Sequence, residues 1–210
     1  PEAVERLSRA GVIVFGGHSA ATYDEARAAF DAGMRGVTHL FNAMTPFAHR
    51  EPGLVGAALE DRRTYAGIIA DGHHVHPAVL AIAATAKSFD RLCLVTDAMA
   101  TVGSSLPTFD WNGQEATAKD GCCRLPDGSL AGSDLDMLTA VRNAMRFMRA
   151  DLGRALRMAS VNPARALGLG SQLGCIRPGY RACLLELDEG LELRRSWIDG
   201  EVMVVAEDMD

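Results

Sequence analysis

The chain has 210 residues, of which 48% are hydrophobic and 23% are charged, so its composition is that of an ordinary folded protein and argues against intrinsic disorder. Its formal net charge of −6, without long runs of like charge, argues against a nucleic-acid-binding surface, which needs a basic face. Apolar segments such as 75–86 are interrupted by Pro, Lys or Asp well before the roughly 20 residues that a membrane span requires.

Four short apolar or β-branched segments in the first 100 residues are each followed by a polar or glycine-containing turn and then by a segment with helical spacing. These segments are 12–15, 36–41, 66–70 and 92–96. Such alternation predicts an α/β fold with parallel strands joined by crossover helices. Four units of this kind make half of an eightfold barrel.

Two helices between these strands have recognisable boundaries. The Thr-Tyr-Asp-Glu segment at 22–25 has the spacing of a capping box, and Gly33 can end a helix in the left-handed conformation, which predicts a helix over 23–32. Pro77 suits the first turn of a helix, because its missing N–H is not needed there. We expect this second helix to continue over 78–88.

The segment after the fourth strand is rich in Thr, Gly, Asp and Pro, and 126–128 (Pro-Asp-Gly) is a clear turn signal. We expect a hairpin that lies over one end of the barrel. The following Ser-Asp-Leu-Asp at 133–136 offers a capping hydroxyl and two acids, which predicts the start of a longer helix that reaches about residue 149.

Short strands dominate the last part of the chain. After Asn162-Pro163 and a short helix that ends near Gly168, they are predicted at 181–187, 191–195 and 201–205. We expect two units: a partial catalytic barrel over 1–170 and a β unit over 171–210, the latter too small to be stable alone.

The five cysteines are scattered and include no C-x-x-C pair; they are Cys93, Cys122, Cys123, Cys175 and Cys183. This usage favours small buried hydrophobic residues in a reducing cytoplasm over a zinc or redox motif. The chain begins with Pro1-Glu2 and has no charged, apolar leader, so we expect no secretion signal and a chain that starts within a domain.

The strongest polar signals lie where the predicted strands end. They are His18, His39, the Asp-Gly-His-His segment at 71–74 and Asp97. The carboxyl ends of parallel barrel strands form one face, where active sites are built. One histidine at such a place is more often structural than a ligand, but repetition on successive strands is hard to explain in that way.

Histidine nitrogen is a common ligand for Zn²⁺ and similar ions, and neighbouring strands present their terminal side chains close together. We therefore predict that His18 and His39 bind a divalent metal. Asp97 is then placed to accept a proton from a metal-bound water, although an aspartate there could instead cap the turn that follows.

Several segments resemble a known family in both order and spacing. They are GHSAATY at 17–23, VTHLFNAM at 37–44, REPG at 50–53, ADGHHV at 70–75, VTDAM at 95–99, LAGS at 130–133, SVNPA at 160–164 and GCIRPG at 174–179. Together they resemble the N-acetylglucosamine-6-phosphate deacetylases of the amidohydrolase superfamily. The resemblance implies the C-terminal half of a TIM-type (β/α)8 barrel with part of a small β-sandwich domain. It also implies metal-dependent hydrolysis of the acetamide of N-acetylglucosamine 6-phosphate to glucosamine 6-phosphate and acetate, a step of amino-sugar catabolism.

The resemblance further implies roles for single residues. His18 and His39 match two ligands of a divalent ion, expected to be Zn²⁺ with Fe²⁺ or another ion left open, and Asp97 matches the acid/base that activates water and then protonates the amine. Substrate contacts are implied for Asn42, Ala43, Arg50, His74, Leu130, Ala131 and Gly132, with Arg50 as a cation for the phosphate. The family implies a homodimer, whose partner can supply groups such as His74. For His73 and His76 we expect a helix cap or a solvent-facing position.

The chain departs from the family in one important respect. The family also uses a glutamate ligand from an earlier strand, and no segment of the chain matches it, so metal affinity should fall. One alternative is therefore a catalytically silent fragment that keeps sugar-phosphate or dimer contacts. Another is a different amidohydrolase, such as a deaminase, although Asn42-Ala43 followed by Arg50 argues for a phosphosugar.

Overall fold

A computed structural model describes residues 1–205, which form seven α-helices, a 3-10 helix at Phe89–Arg91 and eleven β-strands in three sheets. The helices are α1 Glu2–Arg9, α2 Tyr23–Asp31, α3 Gly53–Glu60, α4 Pro77–Lys87, α5 Met137–Phe147, α6 Leu152–Ala159 and α7 Val161–Ala166. The strands are β1 Phe15–Gly16, β2 Gly36–Val37, β3 Tyr65–Ile68, β4 Leu92–Leu94, β5 Thr108–Trp111, β6 Gln114–Lys119, β7 Cys122–Arg124, β8 Leu130–Ser133, β9 Leu184–Leu187, β10 Leu193–Ile198 and β11 Glu201–Val205. No helix in this range is long and apolar enough to cross a membrane.

Strands β1 to β4 form a parallel sheet whose spatial order follows the chain order. Helices α2, α3 and α4 make the crossover connections, which confirms the predicted alternation of strands and helices. The first strand lies later than the predicted segment 12–15, although the carbonyl oxygen of Val14 already accepts a hydrogen bond from the amide of Arg35, at 2.7 Å.

Two predicted helix starts are confirmed in atomic detail. Thr22 and Glu25 form both hydrogen bonds of a capping box at the start of α2. Helix α4 begins at Pro77, and the Nδ1 atom of His76 accepts a hydrogen bond from the amide of Ala78, at 3.2 Å. His76 is therefore a helix cap, as expected.

The helix predicted from residues 133–136 starts later than expected. Ser133 is the last residue of β8, and α5 begins at Met137 with Asp136 as its cap, whose carboxylate accepts the amide hydrogen of Thr139 at 2.9 Å. The prediction that Ser133 caps this helix was wrong because its backbone pairs with Cys122 in the neighbouring strand instead.

Three helices lie outside the predictions made from the sequence. Seven of the eight residues of α3 are buried, so this helix has no polar face to mark its period. Helix α1 has the opposite character, since none of its residues is buried. Helix α6 follows α5 after a short connection and begins at the cap Asp151, whose carboxylate accepts the amide hydrogen of Arg154 at 2.8 Å.

The other two sheets are antiparallel. Strands β5 to β8 form the hairpin sheet, in chain order, and β9 to β11 form the terminal sheet in the order β11-β10-β9. The turn at 126–128 joins β7 to β8, as predicted. The strand predicted at 191–195 lies at Leu193–Ile198 instead, and residues 206–210 of the predicted β unit lie outside the described residues.

The main hydrophobic core lies between the parallel sheet and its helices. Fully buried side chains at its centre are Leu40, Leu54, Ile68, Leu80 and Met158. A smaller cluster of Ala116, Cys123 and Ala131 lies within the hairpin sheet. The carboxyl ends of β1 to β4 are therefore held by a packed core on one side and approached by the hairpin sheet on the other.

Candidate active site

The carboxyl ends of the parallel strands and the hairpin sheet enclose a cavity of about 380 Å³, called the candidate cleft below. Nine of the ten predicted site residues line it, together with two residues that the sequence did not single out. The lining residues are His18, His39, Asn42, Ala43, His74, Asp97, Met99, Trp111, Leu130, Ala131 and Gly132.

His18 and His39 lie side by side in the cleft. Their ring centroids are 4.8 Å apart, with the ring planes at 69°. His39 is buried, and its Nδ1 atom has no hydrogen-bond partner within residues 1–205. An unsatisfied buried polar atom costs about 1–3 kcal/mol, so this ring needs a further partner. Two adjacent imidazoles with unused nitrogen capacity fit part of a ligand set for a divalent metal.

The described residues do not complete such a set. No group of three or more His, Cys, Asp or Glu side chains that could hold a metal ion occurs within residues 1–205. A catalytic zinc normally has three protein ligands. The two histidines therefore fit a metal only if another group joins them.

The backbone at the strand ends is held in an unusual conformation. His18, His39, Ala43 and Asp97 have φ values of 45°, 27°, 49° and 52°, in the left-handed region that residues other than glycine rarely occupy. Such residues cost on the order of 1–3 kcal/mol each and cluster at functional sites, where the surrounding structure imposes the conformation. Their concentration in one cleft therefore supports a functional interpretation.

Two glycines allow close approach around these residues. A Cβ atom on Gly17 would lie 2.6 Å from the Thr38 side chain and 3.5 Å from the His39 ring. A Cβ atom on Gly132 would lie 2.5 Å from Met99 and 3.2 Å from the carbonyl oxygen of Asp97. The contacts of 2.6 and 2.5 Å are too short for a real Cβ atom unless the neighbouring side chain moves, and the φ of 124° at Gly132 also favours glycine.

The hairpin sheet positions Asp97. The amide of Ser133 donates to the carbonyl oxygen of Asp97, and the amide of Met99 donates to the carbonyl oxygen of Ser133, each at 2.9 Å. These bonds continue β8 alongside the chain that follows β4, so that Leu130, Ala131 and Gly132 form one wall of the cleft.

Asn42 and His74 are held by neighbouring groups. The side-chain NH₂ group of Asn42 donates to the carbonyl oxygens of His39 and Leu40, at 3.2 and 3.3 Å. The side-chain oxygen of Asn42 takes no part in these two bonds. The Nδ1 atom of His74 lies 2.6 Å from Oδ2 of Asp71. Both side chains of this pair are buried.

Arg50 is the predicted site residue that lies elsewhere. Its side chain is exposed and does not line the candidate cleft, so its contact with substrate stays a prediction. Met99 and Trp111 line the cleft but were given no role from sequence. Met99 lies within the family-like VTDAM segment, whereas Trp111 carries no motif and reaches the cleft only because the hairpin sheet folds over it.

A larger cavity of about 480 Å³ lies on the hairpin sheet, between β6, β7 and His73. Its lining mixes acidic residues such as Glu115 with basic residues such as Lys119, and it contains none of the residues His18, His39 and Asp97. We therefore assign the chemistry to the smaller candidate cleft.

Comparisons with known proteins identify the family of the chain. The sequence profile of the amidohydrolase family matches residues 4–207. An N-acetylgalactosamine-6-phosphate deacetylase of Escherichia coli O157:H7 is 43% identical over 201 residues, which are 96% of this chain and 53% of that protein. An N-acetylglucosamine-6-phosphate deacetylase of Vibrio furnissii is 35% identical over 202 residues, covering 96% and 50%.

A solved structure is similar over the same range. It is a mutant N-acetyl-D-glucosamine-6-phosphate deacetylase from Mycobacterium smegmatis in complex with N-acetyl-D-glucosamine-6-phosphate, 39% identical, with a TM-score of 0.88 over 96% of this chain and 54% of that one. The chain spans about half the length of the curated relatives it matches. Its fold is of the TIM-barrel type of the amidohydrolase superfamily, with mixed α and β content. The chain therefore belongs to the amidohydrolase family.

Proposed function

We propose that the protein to which this chain belongs hydrolyses the acetamide of N-acetylglucosamine 6-phosphate to glucosamine 6-phosphate and acetate. The observation that carries the proposal is the meeting of His18, His39 and Asp97 in one cleft whose wall is formed by Leu130, Ala131 and Gly132. The names of the relatives support this choice over a deaminase.

Asp97 is the proposed general acid and base. Its carboxylate accepts a proton from the attacking water and later gives that proton to the leaving amino group, so that one side chain serves both halves of the reaction. The backbone bonds from Ser133 hold Asp97 in place while this happens. The small residues Ala131 and Gly132 leave room for the sugar ring against the backbone.

His18 and His39 would hold a divalent ion, for which Zn²⁺ is the proposed choice. When bound, such an ion lowers the pKa of a coordinated water and polarises the acetyl carbonyl group. We place the remaining ligand, which is a glutamate in the family that the sequence resembles, outside these 210 residues. Without that ligand the 210-residue chain would be a catalytically silent fragment that keeps substrate contacts, which is our alternative proposal.

The family resemblance also supports a proposed architecture for the whole protein. Residues 1–170 would form the C-terminal half of a (β/α)8 barrel, and 171–210 would contribute strands to a small β-sandwich domain. We further propose that the protein is a cytoplasmic homodimer. Because Arg50 lies outside the cleft of its own chain, we propose that it reaches the phosphate of a substrate held by the partner subunit.

A second candidate substrate is N-acetylgalactosamine 6-phosphate. It differs from the first at one hydroxyl-bearing carbon, and a relative that is 43% identical is named for it. The proposed metal ligands, the proposed acid/base and the wall of the cleft would serve either sugar. We therefore expect the two sugar phosphates to differ in how efficiently they are hydrolysed.

The experiment is a comparison of acetate release from the two sugar phosphates and from unphosphorylated N-acetylglucosamine, by the protein that carries this chain and by the 210-residue chain alone, each with added Zn²⁺. We expect release from a sugar phosphate and little from the unphosphorylated sugar. Release by the longer protein alone would support the placement of the missing ligand. Release by neither would contradict the proposed activity.

A further inference from the structure

The loop after β3 folds around one buried carboxylate. The side chain of Asp71 is 2% exposed, and its Oδ1 atom accepts hydrogen bonds from the amides of His73 and His74, both at 2.9 Å. Its other oxygen, Oδ2, lies 2.6 Å from Nδ1 of His74. Gly72 makes this turn possible, since its φ of 81° is unfavourable for other residues. The backbone therefore aims the carboxylate at the His74 ring.

The charge of Asp71 determines which atom is the donor. Burial acts to raise the pKa of Asp71, but the hydrogen bonds from His74 and from the two amides outweigh burial and keep this pKa below its ordinary value. At neutral pH Asp71 is thus an ionised carboxylate, which can only accept hydrogen bonds. The nitrogen of His74 that faces it must carry a hydrogen.

We propose that Asp71 is the positioning residue for His74: it fixes the tautomer with hydrogen on Nδ1 and leaves Nε2 as the ring nitrogen available to a ligand in the candidate cleft. His74 lines that cleft together with His18, His39 and Asp97. The ligand is a polar group of the phosphosugar, so this part of the inference rests on the proposed function.

A fixed ring has a physical advantage over a free one. A neutral imidazole that exchanges between two tautomers offers either a donor or an acceptor at Nε2, and only one of these matches a given sugar group. Because Asp71 removes that choice before substrate arrives, none of the binding free energy is needed to order the ring. Removing the supporting partner of a metal-ligating histidine commonly costs about ten- to hundred-fold in activity or affinity, and we expect an effect of that size for His74.

The substitution Asp71→Asn tests the tautomer directly. Asparagine keeps an oxygen for the two amides but turns an NH₂ group toward Nδ1 of His74, which then must accept rather than donate. Asp127→Asn is a matched control, because Asp127 also accepts an amide two residues later, from Ser129 at 2.9 Å, and its other side-chain bond is to the hydroxyl of Ser129 rather than to a histidine.

The readout is a long-range proton–nitrogen NMR spectrum of the six histidine rings in the 210-residue chain at neutral pH, with His74→Gln used to assign the signals of His74. We expect hydrogen on Nδ1 in the wild type and in Asp127→Asn, and hydrogen on Nε2 in Asp71→Asn. A wild-type ring with hydrogen on Nε2 would overturn the proposal even if the variant failed to fold. So would an unchanged tautomer in a folded Asp71→Asn chain.

The catalytic consequence is measured in the protein that carries this chain. We expect Asp71→Asn to lower kcat/KM for the sugar phosphate by about ten- to hundred-fold, about as much as His74→Gln, and the double variant to lose little more, since the two residues act as one unit. Full activity in Asp71→Asn beside a loss in His74→Gln would refute the positioning role and leave the proposed function standing. If the wild type releases no acetate, the proposed function fails. The NMR measurement of the His74 tautomer still tests the positioning role of Asp71 in that case.

Discussion

Ser133 holds the backbone on both sides of Asp97. Its amide donates to the carbonyl oxygen of Asp97, its carbonyl oxygen accepts from Met99, and its hydroxyl donates to the carbonyl oxygen of Thr96. Ser133 is fully buried, so its own polar atoms have no access to solvent. A single residue of the hairpin sheet thus anchors the backbone on both sides of the proposed acid/base, whose φ is 52°.

This relationship predicts a loss of both stability and activity in Ser133→Ala. The substitution leaves the backbone bonds intact but removes the donor to Thr96, which costs about 1–3 kcal/mol in the free energy of unfolding. Urea denaturation measures this cost, and acetate release measures the effect on Asp97. Ser129→Ala, at an exposed turn of the same sheet, should change stability by no more than about 0.5 kcal/mol. Equal effects of the two substitutions would contradict the role given to Ser133.

Trp111 should contribute to binding of the sugar phosphate. It lies at the end of β5, next to the tight turn at Asn112-Gly113, with its side chain partly exposed in the cleft. Aromatic faces contribute about 0.5–1.5 kcal/mol beyond simple burial, so Trp111→Ala should weaken binding by up to about ten-fold.

Tryptophan fluorescence gives a selective measurement of this contact, because the chain has two tryptophans and the other, Trp197, lies in the terminal sheet. In Trp197→Phe the fluorescence should still change when the sugar phosphate is added, whereas in Trp111→Phe it should not. A response that disappears with Trp197 would show that the sugar does not contact Trp111.

Lys87 predicts how stability depends on alkaline pH. Its side chain is buried, its ammonium group donates to Thr64 at 3.0 Å and to the carbonyl oxygen of Asp61, and burial lowers the pKa of Lys87 to about 8. The unfolded lysine has a pKa near 10.4, so between about pH 8 and 10 the unfolded state binds more protons and the contribution of Lys87 to stability rises with pH.

The buried thiol of Cys93 acts in the opposite direction, because burial raises the pKa of Cys93 to about 12 and the unfolded state therefore loses a proton first. Comparison with Lys87→Met at each pH isolates the lysine. The wild type should gain on the order of 2–3 kcal/mol relative to this variant between pH 7.5 and 10.5, measured by urea denaturation. A difference that stays constant over that range would show that folding does not lower the pKa of Lys87.

Arg50 should act in the site of a partner subunit. Arg50→Ala should raise KM for the sugar phosphate with a smaller change in kcat, because the phosphate lies away from the reacting bond. Arg62→Ala provides a control at another exposed arginine and should leave KM unchanged.

Subunit mixing tests the placement of Arg50 more sharply. Dimers formed from Arg50→Ala and Asp97→Asn subunits would contain one site with both side chains intact if Arg50 comes from the partner. We expect activity to return on mixing. Activity that does not exceed that of the separate variants would contradict the proposed dimeric site.

The sequence predicts most of this fold and site because strand ends combine two local signals, an apolar segment and a polar residue directly after it. Those signals located His18, His39 and Asp97. The cap predicted at Ser133 failed because a local capping pattern cannot reveal that the same backbone pairs with a distant strand. Helix α3 lacks a polar face, so no periodic pattern marks it.

Other features depend on contacts that no local pattern contains. Trp111 reaches the cleft only through the packing of the hairpin sheet, and the bond between Asp71 and His74 requires a turn whose geometry becomes visible only in three dimensions. The proposed role of Arg50 requires a partner subunit, which no local pattern in the sequence can reveal.

The measurement that tests the central claim most directly is the rate of acetate release from N-acetylglucosamine 6-phosphate by Asp97→Asn, relative to the wild type, in the protein that carries this chain with saturating Zn²⁺. Loss of a general acid/base predicts a fall of about 10²- to 10⁴-fold in kcat, with substrate still bound. A kcat within a few-fold of the wild-type value would contradict the assignment of Asp97 and, with it, the proposed chemistry of the cleft.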